Sequence, residues 1–306
     1  MSRENAKELQ AQGKHDEAEP LYREALRVDR ETHGDRHPDT LISISNLGGL
    51  LHEKGDHAAA EPLFREALEG LRETLGSSRD PSMLAAISNL GTLLQEKGDL
   101  AIAEPLQREA LEGWRETLGD RHPDTLTSVA NLGMLLKAKG DCAAGEPLCR
   151  EALEGRRETL GNRHPSTLSS INNLGSLLQA KGDLTAAEPL YREALEVDRE
   201  TLGDQHLSTL ASINNLGTLL YAKGDLAAAE PLLREALEVR REVLGDRHPA
   251  TLISISSLGS LLHTKDDLAA AEPLSARRWR GCARRSAIGT QVRSSLPATS
   301  ARCCKK

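Results

Sequence analysis

Aromatic residues are scarce in this chain of 306 residues, where Phe, Trp and Tyr together make up 2% of the sequence. Hydrophobic residues of all kinds reach 38%. So few rings cannot fill the thick interior of a bulky globular domain. The composition therefore favours a thin, layered fold whose interior is filled by Leu, Ala and Ile.

Long apolar runs are also missing. No run of 18 apolar residues exists, which argues against a membrane-spanning helix, and the polar residues 1–20 do not resemble a signal peptide. Cys142 and Cys149 would lie about 10 Å apart along a predicted helix, which is too far for a disulfide. We therefore expect reduced thiols and a cytoplasmic location. The cysteines are Cys142, Cys149, Cys282, Cys303 and Cys304.

Three short phrases recur with a period of 42 residues, which is broken once by an extra residue between Gly76 and Pro81. A fixed period of this length predicts a solenoid, in which each repeat packs on its neighbours. Asn-Leu-Gly begins at residues 46, 89, 131, 173 and 215, Lys-Gly-Asp at 54, 97, 139, 181 and 223, and Glu-Pro-Leu at 19, 61, 104, 146, 188, 230 and 272.

Each repeat is predicted to be a pair of helices, A and B. In one repeat, Pro165 suits the first turn of helix A and Gly182 its end, while Asp183 can cap helix B and Gly203 can end it. Pro189 falls inside helix B and should bend it. The apolar positions of the two helices recur at helical spacing: Leu168, Ile171, Leu174 and Leu178, then Ala187, Leu190, Tyr191, Ala194 and Leu195.

This pattern resembles the tetratricopeptide signature through Leu174, Gly175, Leu178, Gly182, Ala187, Tyr191 and Ala194. The 42-residue form, with His-Pro before helix A, Asn-Asn-Leu within it and Ala-Glu-Pro-Leu-Tyr in helix B, is similar to the kinesin light chain repeat. The resemblance implies an all-α, right-handed α-solenoid superhelix of stacked antiparallel helix pairs. It would cover residues 1–274 as about six pairs and a partial seventh. The heptad coiled coil by which kinesin light chains join the motor heavy chain is not found in this sequence, so the resemblance supports the repeat type and leaves association with a motor open.

The resemblance also implies that the A helices line a concave groove that binds extended peptides. Asparagines recur on the predicted groove side of these helices, where amide groups can both donate to and accept from a peptide backbone. The alternative is that each Asn bonds to a neighbouring helix or to water. The predicted contact residues are Asn46, Asn89, Asn131, Asn172, Asn173, Asn214 and Asn215, with Ser169 and Ser176 beside them.

A histidine precedes helix A in five repeats. Metal binding by this series is not expected. Equivalent residues of stacked repeats lie about 10 Å apart, whereas the nitrogens that bind one metal ion each lie about 2 Å from that ion. A loop or capping role is predicted instead. Pairs such as Arg192-Glu193 and Arg199-Glu200 are read as solvated helix faces. The histidines are His37, His122, His164, His206 and His248.

The last residues differ in charge from the rest. Residues 275–306 hold nine basic residues and no acidic ones, which leaves −16 on residues 1–274 out of a total of −7. A nucleic-acid-binding or nuclear-targeting tail is one interpretation. We favour another, a repeat translated out of frame, because a shifted frame of Ala287–Gln291 can encode Asp-Arg-His-Pro at the expected register. The tail is then expected to be disordered and the chain to be cut short.

Sequence motifs of catalysis are missing: no phosphate-binding glycine loop, His-Glu-x-x-His or Gly-x-Ser-x-Gly is present. We therefore expect no enzyme, no cofactor and no metal site. The predicted function is a protein-interaction scaffold with a protein or peptide ligand; a small-molecule substrate and a membrane are not expected, and the acidic body disfavours nucleic acid. The alternative is a structural repeat segment of a larger signalling or sensor protein.

Overall fold

The computed structural model describes residues 2–76, 79–267 and 270. Within this part, all regular elements are α-helices and no strand occurs, as the sequence predicts. The A helices are α3, α5, α7, α9, α11 and α13, and the B helices are the even-numbered ones. The helices are α1 (Ser2–Ala11), α2 (His15–His33), α3 (Pro38–Glu53), α4 (His57–Leu75), α5 (Pro81–Lys97), α6 (Leu100–Leu118), α7 (Pro123–Ala138), α8 (Cys142–Leu160), α9 (Pro165–Lys181), α10 (Leu184–Leu202), α11 (Leu207–Ala222), α12 (Leu226–Leu244) and α13 (Pro249–Thr264).

The helices form two compact units, of which the first ends at Lys181 and the second begins at Gly182. In the first unit each helix from α1 to α9 packs on the next, and α3, α5, α7 and α9 also contact one another in that order. In the second unit α10 packs on α11, α11 on α12 and α12 on α13, while α11 also contacts α13. This consecutive pairing is that of an all-α repeat solenoid.

Local signals in the sequence place the helix ends correctly. Helix α9 begins at Pro165, and α10 begins after Asp183, whose carboxylate accepts a 3.0 Å hydrogen bond from the amide of Ala186. Gly203 ends α10 with a φ of 83°, a left-handed conformation that costs glycine little. Pro189 lies inside α10 as predicted. The bend expected at Pro189 remains a prediction.

In each unit the core is a layer of Leu, Ile and Ala between the A and B helices. Leu174 and Ile171 of α9 are buried, as are the small residues Ala187 and Ala194 of α10. Two aromatic rings lie inside this layer: Phe64 packs against Gly48, and Tyr191 is 2% exposed. The interior therefore matches the thin, aliphatic core that the composition predicts.

A lysine at the C-terminal end of each A helix binds a glutamate of the preceding B helix. Lys54 Nζ lies 2.6 Å from Glu19 Oε2, and Lys181 Nζ lies 2.7 Å from Glu146 Oε2. These residues belong to the recurring Lys-Gly-Asp and Glu-Pro-Leu phrases, so both phrases are explained by one contact between repeats. The same pairing occurs at Lys97–Glu61, Lys139–Glu104, Lys223–Glu188 and Lys265–Glu230.

Arginines of the B helices make a second contact between repeats. Arg199 Nη2 lies 2.6 Å from Glu235 of the next B helix, and its Nε lies 3.1 Å from Asp204. Arg192 instead pairs with Glu188, four residues before it in the same helix. Arg199 thus lies on a solvated helix face, with 40% of its side chain exposed, and its ion pair with Glu235 links two repeats. Equivalent links between repeats are Arg30–Glu66, Arg72–Glu109 and Arg115–Glu151.

No helix in the described part of the chain is long and apolar enough to cross a membrane. The predicted domain boundary at residue 274 and the basic segment 275–306 lie outside the described residues. The frameshift interpretation and the expectation of disorder therefore remain predictions.

Candidate functional site

Four asparagines occupy the same position on four consecutive A helices of the first unit. Asn46 lies on α3, Asn89 on α5, Asn131 on α7 and Asn173 on α9. Each of these helices contacts the next A helix, so the four positions form one row, which we call the A-face. Asn89 is exposed and the other three are half-buried, so all four amides can be reached from solvent.

The A-face amides keep their hydrogen-bonding groups available. No hydrogen bond joins the side chains of Asn46, Asn89, Asn131 and Asn173 to another of the described residues. Each carboxamide offers two N–H donors and one carbonyl acceptor. A row of such groups can bind the alternating N–H and C=O groups of an extended backbone.

The two predicted serines are already engaged within the first unit. Ser169 Oγ donates a 3.1 Å hydrogen bond to the carbonyl of Pro165, one turn earlier in α9. Ser176 Oγ accepts a 2.6 Å hydrogen bond from Nζ of Lys137, which joins α7 to α9. Burial lowers the pKa of the Lys137 ammonium. Ser176 thus has a structural partner that the sequence did not indicate, although its hydroxyl hydrogen can still be donated.

The remaining predicted asparagines have different surroundings. Asn172 and Asn215 are half-buried, and each already interacts with another residue of the chain. Asn214 is only 7% exposed, and its Oδ1 has no hydrogen-bond partner among the described residues. Burial leaves Asn214 little surface for a ligand, so the structure does not place it on an accessible row with the others. Asn215 occupies, on α11 of the second unit, the same position that the A-face asparagines occupy on their helices.

The neighbours of the A-face are small and mostly uncharged. Thr92 lies one helical turn after Asn89, and Met134 lies one turn after Asn131. Charged residues concentrate on the B helices, as in the pairs Arg108–Glu104 and Arg150–Glu146. The A-face is thus suited to a ligand bound through polar backbone groups rather than through charge.

The recurring histidines are helix caps, as predicted. The Nδ1 atom of His206 accepts a 3.2 Å hydrogen bond from the amide of Ser208 at the start of α11. Asp80 makes the same bond to Ser82 at the start of α5, where a carboxylate stands in place of the histidine. Equivalent histidine caps are His37, His122, His164 and His248.

The two cysteines of α8 are free thiols. Cys149 is buried, and burial raises the pKa of its thiol to about 11. The thiol is therefore protonated at neutral pH, and a protonated, buried cysteine is a poor nucleophile. Cys282, Cys303 and Cys304 lie outside the described residues.

The sequence matches the family described as tetratricopeptide repeat over residues 5–73, 82–144, 128–200, 167–242 and 209–277. The chain belongs to the tetratricopeptide repeat family. The resemblance predicted from the helix-pair pattern is thereby confirmed. No curated protein matches the chain significantly.

Solved structures with kinesin light chain-like repeats resemble this tetratricopeptide protein. A putative kinesin light chain from Podosopora anserina with nearly identical TPR-like repeats is 27% identical, with a TM-score of 0.58 over 68% of this chain and 98% of that one. BtubC (BKLC) from P. vanneervenii is 26% identical, with a TM-score of 0.59 over 74% of this chain and 89% of that one. A Rap protein complexed with competence and sporulation factor shares the fold alone, at 14% identity and a TM-score of 0.60 over 88% and 75% of the two chains.

Proposed function

We propose that this tetratricopeptide protein is an interaction scaffold that binds an extended segment of another protein along its A-face. The observation that carries the proposal is the row of Asn46, Asn89, Asn131 and Asn173, whose amides have no hydrogen bond to the described residues. The fold typically serves scaffolds rather than enzymes. The Rap structure, complexed with a factor, is a case in which this fold holds a partner.

The chemistry of the A-face favours backbone recognition over recognition of charge. Amide side chains bind both N–H and C=O groups, so they hold an extended chain without requiring one sequence. Specificity would come from the residues between the asparagines, such as Met134, which offers an adaptable apolar contact. The expected partner is therefore a protein segment with few charges. A cytoplasmic location and the absence of catalysis belong to the same proposal.

Peptide selection tests this function without requiring an identified partner. The full chain is used to select binders from a displayed library of unstructured peptides, and the affinity of a selected peptide is measured by fluorescence anisotropy. Replacement of Asn89, Asn131 and Asn173 by Ala removes three hydrogen-bonding groups. At about 1 kcal/mol for each of the three lost bonds, the peptide should bind about a hundredfold more weakly.

A matched control uses equivalent positions on the B helices. Replacement of the exposed Glu69 and Glu154 by Gln should leave the affinity unchanged, and circular dichroism should show equal helicity in all variants. Unchanged affinity in the triple Asn variant would overturn binding at the A-face. Failure to select any peptide would instead favour a structural role for the repeats.

A further inference from the structure

Two histidines and a glutamate converge at the junction between the first two complete repeats. His52 lies near the end of α3, His57 begins α4, and Glu96 lies near the end of α5. Each side chain offers one ligand atom, and these atoms lie within 4.8 Å of one another. The Oε2 atom of Glu96 is 2.8 Å from Nε2 of His52 and 3.5 Å from Nε2 of His57.

We propose that His52, His57 and Glu96 form a binding site for a divalent transition-metal ion of the Zn²⁺ class. Imidazole nitrogens and a carboxylate oxygen are ligands that Zn²⁺ takes at about 2.0–2.2 Å, and a tetrahedral arrangement separates such ligand atoms by roughly 3.3 Å. The two nitrogen–oxygen distances bracket that separation. Small rotations of the side chains therefore bring the three atoms around one ion.

The surroundings hold the two histidines in place. The connection between α3 and α4 is short: the Asp56 carboxylate caps α4 by accepting a 3.1 Å bond from Ala59, and Lys54 pairs with Glu19. The His52 ring also makes an edge contact with the buried ring of Phe64, with 6.4 Å between centroids. Ligands held in this way lose little conformational entropy when an ion binds.

The site occurs at one junction of the described repeats. In the later repeats the position of His52 is taken by Gln95, Lys137, Gln179, Tyr221 and His263, and that of His57 by Leu100, Cys142, Leu184, Leu226 and Leu268, so no later repeat has a histidine at both. Ala138, Ala180 and Ala222 stand at the position of Glu96. The preceding junction holds a reduced set, in which His15 lies 3.5 Å from Glu53 but Gln10 replaces the second histidine. The expectation of no metal site rested on the histidines that precede the A helices, and His52 and His57 are not among them.

A second cluster, formed by His33, His37 and Asp39, is less suited to metal. All three side chains are exposed: His33 ends α2, His37 precedes α3 and Asp39 lies in its first turn. Nδ1 of His37 already accepts the capping hydrogen bond from the amide of Asp39. An ion held there would compete with the start of α3, whereas an ion at His52 and His57 would link α3 and α4 to α5. Three protein ligands leave one coordination position for water or for a donor group of a partner.

The repeats themselves supply substitutions that test the site. His52→Gln, His57→Leu and Glu96→Ala each introduce the residue that other repeats carry, so folding should be retained. The full chain with Cys142, Cys282, Cys303 and Cys304 replaced by Ser, which leaves only the buried thiol of Cys149, is titrated with Zn²⁺ by calorimetry and with Co²⁺ by visible absorption. Each substitution should weaken Zn²⁺ binding at least about tenfold. Zn²⁺ should raise the melting temperature of the chain that keeps His52, His57 and Glu96, and should leave that of each substituted chain unchanged.

Two control variants distinguish this site from its neighbours. His15→Leu removes the two-ligand pair at the preceding junction, and His33→Leu removes a member of the exposed cluster; both should leave Zn²⁺ affinity unchanged. Loss of binding in His33→Leu with full binding in His57→Leu would overturn the proposal. So would the absence of Zn²⁺ binding in the parent chain, which would identify the contact of His52 with Glu96 as an ordinary hydrogen bond.

Discussion

The hydroxyl of Ser212 donates a 2.6 Å hydrogen bond to Oδ2 of Asp198, and both residues are at most 2% exposed. The pair joins α10 to α11 at a position where other repeats place different chemistry. At the equivalent place Arg240 donates to Ser254 at 2.7 Å, whereas Trp114 replaces the charged residue in a third repeat. Ser128, the counterpart of Ser212 in that repeat, is buried with no hydrogen-bond partner among the described residues. The same buried position thus holds a carboxylate in one repeat, a guanidinium in another and an aromatic ring in a third.

Replacement of Ser212 and of Ser128 by Ala should therefore change the stability of the chain differently. Ser212→Ala removes the donor to a buried carboxylate, and the free energy of unfolding should fall by about 1–3 kcal/mol. Ser128→Ala removes a hydroxyl that makes no hydrogen bond, so stability should stay the same or rise slightly. Chemical denaturation followed by circular dichroism measures both. Equal destabilisation by the two substitutions would contradict the assignment.

The lysine–glutamate pairs between repeats make stability depend on pH. The hydrogen bond from Lys97 lowers the pKa of the Glu61 carboxyl below its ordinary value of 4.5, and Lys139 does the same for Glu104. The unfolded chain therefore binds protons more readily than the folded chain. The contribution of each pair is complete above the ordinary pKa and is lost as the pH falls through the lowered one.

Removal of two lysines should flatten this acid dependence. In Lys97→Met with Lys139→Met, we expect a loss of up to about 1 kcal/mol for each pair at neutral pH and a shallower fall in stability below about pH 4.5. Lys14→Met serves as the control, because Lys14 is exposed and its side chain does not cap α2. Denaturation curves between neutral and acid pH compare the variants; parallel curves for all three chains would argue against the pairs.

Short-range features were predictable because their cause is local. Pro165, Gly182 and Asp183 fix helix ends through their own backbone and side-chain chemistry, so the bounds of α9 and α10 could be predicted from the sequence. Contacts between repeats could not be assigned in the same way. The Lys-Gly-Asp phrase recurs in five repeats and Glu-Pro-Leu recurs beside it, so the sequence does not say whether Lys54 meets a glutamate of its own repeat or of the preceding one.

The candidate site shows the same limit. The asparagine row follows from one residue that recurs on α3, α5, α7 and α9, so the row could be predicted from the period. The hydrogen bond from Lys137 to Ser176 could not be predicted, because it depends on how closely α7 and α9 approach each other. The meeting of His52 with Glu96 depends in the same way on α3 and α5, which are 44 residues apart at these positions.

The histidine caps should be replaceable by aspartate. His206→Ala removes the acceptor for the Ser208 amide and should lower the free energy of unfolding by about 0.5–2 kcal/mol. His206→Asp should retain the cap, because Asp80 makes the equivalent bond at 2.8 Å in another repeat. Thermal unfolding compares the two variants with the parent chain. Equal losses in both would show that the histidine ring, rather than its acceptor atom, stabilises α11.

Two adjacent glycines of α3 provide a test of the packing between helices. A Cβ atom added at Gly48 would lie 2.9 Å from Cε1 and 3.0 Å from Cδ1 of Phe64, whose ring is buried and cannot move freely, whereas one added at Gly49 would meet nothing within 4 Å. Gly49→Ala should therefore stabilise the chain by about 0.5–1 kcal/mol through the higher helix propensity of alanine. Gly48→Ala should destabilise it by about 1–3 kcal/mol, because the gain in propensity is outweighed by overpacking. Chemical denaturation of both variants measures the difference, and stabilisation by Gly48→Ala would show that α3 and α4 are not held as closely as this contact requires.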